Sequence, residues 1–339
     1  MKWPQIDIPT PQGLVRGIAP LVISASRATD IPAFHAGWFM HRLAAGWCAW
    51  QNPFNAASRQ LVSFAQCRCI VFWSKNPEPL EPYLNEIEDR GLAFYFQFTL
   101  NDYRPEGLEP GLPALGRRIE CFQRLAGRFG RHRVVWRFDP IVFSPRLGAE
   151  EILQRAERLA RELAPCTEKL VFSFVDWYGK TSRGLGRLDS RSRPPTPAEE
   201  SVIACGLAHL RDGLSTPLTL ATCAEPGDFA SLGIAKNRCI DPALLLRLCP
   251  DDAAMRRVYG APKKALSLPG LGLQAAGEAA SEPQAARDQG QRGACRCAPS
   301  KDIGAYNTCR YFCAYCYANQ SPEAVERRLA KASEDAEAL

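Results

Sequence analysis

Residues 93–100 read AFYFQFTL, an aromatic-rich apolar run that ends on the polar Asn101. A run of this length without strict alternation fits a strand buried on both faces, as in a parallel sheet. Five further segments share its character: 21–26 LVISAS, 69–74 CIVFWS, 134–139 VVWRFD, 170–176 LVFSFVD and 218–223 LTLATC. Between them, 113–129 and 149–163 carry apolar residues at helical spacing. The pattern predicts β/α repetition and an α/β fold. A seventh strand, 303–308 IGAYNT, is predicted beside the last cysteines, followed by a helix over 321–336 that Ser321 caps and Pro322 opens.

The predicted strands end in polar groups: Ser24, Ser26, Arg27 and Asp30; Lys75 and Asn76; Gln97, Thr99 and Asn101; Arg137 and Asp139; Asp176; and Cys223 with Glu225. A parallel barrel gathers its active site at such strand ends. The expected fold is therefore a partial or complete parallel (β/α) barrel over 15–263. Residues 264–294, rich in Ala, Gly and Gln, are expected to be a flexible linker or insertion. Residues 295–339 are expected to form a cysteine-bearing β/α unit that completes the barrel.

The 339 residues carry 42 Lys and Arg against 36 Asp and Glu, a formal charge of +6 that favours phosphate-bearing partners without implying nucleic-acid binding. No apolar run approaches the roughly 18 residues of a membrane span, and the N-terminus has no apolar signal region. A soluble, cytoplasmic protein without membrane contact is expected. In that compartment its 14 cysteines are reduced, so clustered ones suit metal or cluster ligation better than disulfides.

The chief cluster is Cys309-Arg-Tyr-Phe-Cys313-Ala-Tyr-Cys316, spaced C-x3-C-x2-C. A short loop of this spacing can aim three thiolates at one iron–sulfur cluster and leave one iron without a protein ligand. With an aromatic residue before the third cysteine, it resembles the signature of radical S-adenosylmethionine enzymes. That resemblance implies a 4Fe–4S cluster on Cys309, Cys313 and Cys316, whose open iron chelates S-adenosylmethionine, and reductive cleavage to a 5′-deoxyadenosyl radical.

The segments SASRATDIP at 24–32, NPF at 52–54, FWSKNP at 72–77, WRFDP at 136–140 and DIGAYNTC at 302–309 resemble the bacterial family called domain of unknown function 1848. Lys75 and the Arg-x-Asp-Pro segment are also weakly similar to spore photoproduct lyase-type proteins. In radical enzymes the cysteine loop follows the first barrel strand, whereas here it comes last. A circular permutation accounts for this, with 303–308 pairing beside 21–26. Barrel order in that family then implies Ser24, Ser26, Arg27, Thr99, Asn101, Arg137, Asp139 and Tyr315 around S-adenosylmethionine, and Asp30, Lys75, Asn76, Asp176 and Glu225 on the substrate side.

A structural zinc site is the competing reading of the motif, although zinc loops favour C-x2-C pairs. Cys223, Cys239, Cys295 and Cys297 are candidates for a second iron–sulfur cluster, or else small buried hydrophobes. The remaining cysteines, Cys48, Cys67, Cys69, Cys121, Cys166, Cys205 and Cys249, fit the core. Arg27 with Asp30 and Arg137 with Asp139 are expected as ion pairs at the barrel mouth, or as anion holders. The four histidines show no metal-ligand spacing.

The expectation is an enzyme supplied by an electron donor such as flavodoxin or ferredoxin, abstracting hydrogen from an unspecified substrate. Its alternatives are a DNA or RNA lesion-repair or modification enzyme of spore photoproduct lyase type, and a non-enzymatic zinc or iron–sulfur module.

Overall fold

The computed structural model describes residues 3–53, 55, 58–260, 287–288 and 290–339. Most of the expected linker, 264–286 and 289, lies outside the described residues, as does Phe54. Twelve strands are described: β1 Gln5–Thr10, β2 Gly13–Ile18, β3 Val22–Ala25, β4 Trp47–Gln51, β5 Arg59–Ser63, β6 Cys69–Ser74, β7 Ala93–Thr99, β8 Val134–Ile141, β9 Lys169–Phe174, β10 Thr219–Thr222, β11 Ala235–Lys236 and β12 Lys301–Asp302. The α-helices are α1 Ile31–Phe34, α2 Ala36–Ala45, α3 Leu84–Asp89, α4 Leu115–Phe129, α5 Ala149–Leu163, α6 Gly179–Leu188, α7 Pro197–Asp212, α8 Pro242–Leu248, α9 Ala253–Tyr259 and α10 Pro322–Leu329.

Eight strands form one sheet in the order β11-β10-β9-β8-β7-β6-β3-β12, every neighbouring pair parallel. All six apolar segments are strands of it. β11 and β12 form its two edges. The chain's last strand therefore lies beside its first strand in this sheet, Lys301 opposite Ile23 and Asp302 opposite Ser24.

The strands are apolar on both faces because both are covered. Ile23, Ile70, Phe72, Phe94, Phe96, Val134 and Trp136 pack with the helices of the main core. Their alternate neighbours Val22, Cys69, Val71, Tyr95, Val135 and Val171 face the other way, onto Leu245, Met255 and Tyr259 of α8 and α9. On this second face the residue type changes along each strand: Val22 gives way to Ser24, Val71 to Trp73, Tyr95 to Gln97, Val135 to Arg137 and Val171 to Ser173. The sheet is thus sealed by apolar packing at the strand starts and lined by polar groups at the strand ends.

Two expectations are corrected. The seventh strand is only Lys301–Asp302, and 303–308 turns away: Asp302 accepts from the Gly304 amide at 2.9 Å, and Asn307 takes a left-handed backbone with φ 59°. The last helix stops at Leu329, well short of 336, because the tail beyond it docks elsewhere. Trp38 Nε1 donates to the Ala336 carbonyl at 2.7 Å and the Ala49 amide to that of Glu337 at 2.7 Å. β1, β2, β5 and β4 make a separate four-stranded sheet on which this tail lies. Among the described residues no helix is long and apolar enough to cross a membrane.

Candidate metal centre

The strand ends open into a cavity of about 890 Å3, and the cysteine motif forms part of its wall. Cys309, Cys313 and Cys316 lie on the loop between β12 and α10, and all three line the cavity. Several contacts fix this loop. His35 Nε2 meets the Thr308 carbonyl oxygen at 2.9 Å. Asn319 donates from Nδ2 to the Cys309 carbonyl at 2.7 Å and from its backbone amide to Cys316 Sγ at 3.3 Å. Phe312 adopts φ 52°, which turns the chain between the first two cysteines.

Two glycines allow the loop to sit this close. A Cβ on Gly304 would lie 1.8 Å from Ser26 Oγ, and one on Gly184 in α6 would lie 2.0 Å from the Ala314 carbonyl oxygen. Neither distance is sterically possible, so these positions accept no side chain without displacing the loop. Asp302, not singled out in the sequence, ties the loop to β3: Oδ2 accepts from Ser24 Oγ at 3.0 Å and from the Arg27 amide at 2.8 Å.

The four other candidate cysteines line the same cavity. Cys223 Sγ lies 3.4 Å from Cys239 Sγ; the Cys239 amide donates to Cys297 Sγ at 3.2 Å, and the Cys297 amide to Cys295 Sγ at 3.4 Å. Tyr95 and Gln97 both donate to the Cys239 carbonyl, at 2.6 and 2.9 Å. Among the described residues, no three His, Cys, Asp or Glu side chains are grouped to hold a single metal ion.

Of the residues expected around S-adenosylmethionine, Ser26, Arg27, Thr99, Arg137, Asp139 and Tyr315 line the cavity. The Arg27 guanidinium lies 4.9 Å from the Trp73 ring centroid, while that of Arg137 lies 5.2 Å from the same ring. Arg27 Nη2 and Thr29 Oγ1 are buried and have no hydrogen-bond partner. Ser24 and Asn101 lie outside the lining, and these two and Tyr315 are engaged within the protein. Ser24 holds Asp302, Asn101 donates to the Asp139 carbonyl at 3.1 Å, and Tyr315 hydrogen-bonds Glu109 and accepts from Lys75 Nζ at 2.9 Å.

The Arg137–Asp139 pair forms as expected, with Nε donating to Oδ2 at 3.0 Å. Burial would raise the Asp139 carboxyl, but Arg137 and the Ser173 hydroxyl hold it below its ordinary value. The Arg27–Asp30 pair does not form. Asp30 instead caps α1: Oδ1 accepts from the Ala33 amide at 3.0 Å and Ser74 Oγ at 2.7 Å, and Oδ2 accepts from the Lys75 amide at 2.7 Å. Burial lifts its carboxyl to about 6 despite these donors.

Among the substrate-side candidates, Asp30, Lys75 and Asp176 line the cavity, but Lys75 is spent on the buried Glu109 at 2.7 Å and Asp176 pairs with Arg292. Asn76 and Glu225 are buried outside the lining; Glu225 accepts from the Phe174 amide at 2.9 Å, and burial raises its carboxyl to about 7. Arg292 and Asp288 belong to the described part of the expected linker, where the Asp288 amide donates to the Cys297 carbonyl at 2.9 Å. Of the cysteines assigned to the core, Cys48, Cys67, Cys69 and Cys121 are buried, Cys166 and Cys249 are half-buried, and Cys205 is exposed on α7, contrary to expectation.

The fold and site define an α/β protein whose parallel sheet delivers its polar strand ends and two sets of cysteines to one cavity. The profile of the family described as Domain of unknown function (DUF1848) matches residues 22–318, and the chain belongs to that family. No curated protein and no solved structure matches the chain.

Proposed function

We propose that the protein is a radical S-adenosylmethionine enzyme, with Cys309, Cys313 and Cys316 as ligands of a 4Fe–4S cluster. The observation that carries this reading is the placement of the C-x3-C-x2-C loop on a cavity that also holds the buried, unpaired Arg27 Nη2 and Thr29 Oγ1. The donor set fits the group: three thiols on one pinned loop that lines the cavity would ligate three irons of a cluster and leave the fourth without a protein ligand.

When bound, the cluster and S-adenosylmethionine supply one-electron cleavage of the cofactor and, with it, hydrogen abstraction from a substrate. The chain's own residues do the rest. Arg27 offers an unpaired N–H to an anionic or polar group of a ligand, and a guanidinium suits a carboxylate or phosphate. Trp73 lines the cavity with the Arg27 and Arg137 guanidinium groups over its ring. Asp139 fixes Arg137, so that the polar floor is preorganised before a ligand enters.

The eight-stranded sheet is read as a partial, circularly permuted barrel of the radical type. The support is that β12, next to the cysteine loop, pairs beside β3 as a first barrel strand would beside a second. A low-potential donor such as flavodoxin or ferredoxin is the expected partner.

The test is anaerobic reconstitution with iron and sulfide, reduction by dithionite in the presence of S-adenosylmethionine, and chromatographic detection of 5′-deoxyadenosine. Formation by the wild type and not by Cys313→Ala is the expected result. A reconstituted, folded protein that forms none, or that binds only zinc, would overturn the proposal.

A further inference from the structure

We propose that Cys223, Cys239, Cys295 and Cys297 ligate a second iron–sulfur cluster, distinct from the one assigned to the three-cysteine motif. The four come from three separate parts of the chain: the end of β10, the turn after β11, and the segment before β12. All are buried, and their contacts run without a break from Cys223 through Cys239 and Cys297 to Cys295.

Apolar packing gives no reason for this arrangement, because polar N–H groups are directed at the sulfurs. Arg137 Nη1 donates to Cys239 Sγ at 2.9 Å and Asn237 Nδ2 to the same atom at 3.1 Å, besides the two backbone amides on Cys297 and Cys295. A neutral thiol accepts hydrogen bonds only weakly. Ligating thiolates accept them well, and such bonds are a standard means of tuning an iron–sulfur cluster. The Arg137 guanidinium also offsets part of the negative charge that four thiolates bring together.

Zinc is the natural rival for four thiolates. Metal and sulfide analysis separates the two, because a zinc site holds no inorganic sulfide. All four line the cavity. Four protein ligands leave no iron for a substrate, so this centre differs in kind from the three-cysteine motif.

The test is anaerobic reconstitution with ferrous iron and sulfide, followed by metal and sulfide analysis and electron paramagnetic resonance of the reduced protein. Wild type is expected to hold about eight irons per chain, two 4Fe–4S clusters. The triple variant Cys309→Ala, Cys313→Ala, Cys316→Ala and the double variant Cys223→Ala, Cys239→Ala are each expected to hold about four. The triple variant leaves all four proposed ligands intact, so it tests the second centre even if the double variant does not fold. Iron retained by the triple variant supports the second centre whether or not the motif holds a cluster. A folded triple variant with no iron, or with zinc alone, would overturn the proposal.

Discussion

Arg137 joins a carboxylate and a sulfur: Nε donates to Asp139 at 3.0 Å while Nη1 donates to Cys239 at 2.9 Å. Both partners are fixed in turn, Asp139 by its backbone bonds with Asn101 and Cys239 by Tyr95 and Gln97. The guanidinium is thus the link between the strand-end polar groups and the four-cysteine site.

Arg137→Lys is therefore expected to keep a charge beside Asp139 but lose the bond to sulfur, since an ammonium is a point charge that cannot reproduce the planar fork. With a cluster on the four cysteines, its reduction potential should become more negative. A difference of about 1 kcal/mol in hydrogen bonding to the two redox states corresponds to roughly 40 mV for one electron. A spectroelectrochemical titration of wild type against variant measures this, and an unchanged potential counts against the role given to Arg137.

Lys75 and Glu109 provide a second test. The Glu109 side chain is fully buried, and its carboxylate takes both the Lys75 ammonium and the Tyr315 hydroxyl. Removing one partner of a buried pair leaves an uncompensated charge, which costs about 3–5 kcal/mol. Lys75→Met should lower stability to denaturant by that amount, and the double variant Lys75→Met, Glu109→Gln should recover most of it. Equal loss in both variants would mean that the charge on Glu109 is not what Lys75 balances.

The sequence carried the sheet more fully than the site. Long apolar runs such as 93–100 are legible because a doubly covered strand must be apolar on both faces. The small sheet was missed because β2 is largely exposed and its residues show no clean alternation. Asp30 was legible as a polar strand end but not as a cap, although Pro32 directly after Ile31 is the sequence signal of a helix start. The positions of Cys223 and Cys295 relative to each other follow from the packing of separate segments, which no spacing in the sequence encodes. Asp302, Trp73 and Gly184 were missed for the same reason: each acts through a contact distant in the chain.

Glu199 sets a prediction away from the cavity. It closes the capping box of α7, accepting from the Thr196 amide at 2.8 Å, and also pairs with Arg193 at 2.7 Å. The Arg193 guanidinium and the cap hold its carboxyl down at about 2, against an ordinary 4.5. A depressed acid stabilises the fold above its unfolded value and loses that contribution as pH falls through the folded one. Glu199→Gln should cost up to about 1 kcal/mol at neutral pH, with the gap narrowing below pH 4.5 and closing near pH 2. Urea titrations of both proteins across this range give the comparison, and a gap independent of pH would exclude the charge as its source.

Gly184 and Gly186 lie two residues apart on α6, yet they should respond oppositely to alanine. A Cβ at Gly186 meets nothing within 4 Å, whereas one at Gly184 would lie 2.0 Å from the Ala314 carbonyl oxygen. In an exposed helix interior, alanine is favoured over glycine by roughly 0.5–1 kcal/mol, so Gly186→Ala should raise the melting temperature slightly. Gly184→Ala must push apart α6 and the loop between Cys313 and Cys316, an overpacking that costs about 1–3 kcal/mol. Because the displaced backbone belongs to the cysteine loop itself, Gly184→Ala should also lower the iron retained after reconstitution, and Gly186→Ala should not. Equal melting temperatures and equal iron in the two variants would show that the loop is not held against α6 as tightly as this contact requires.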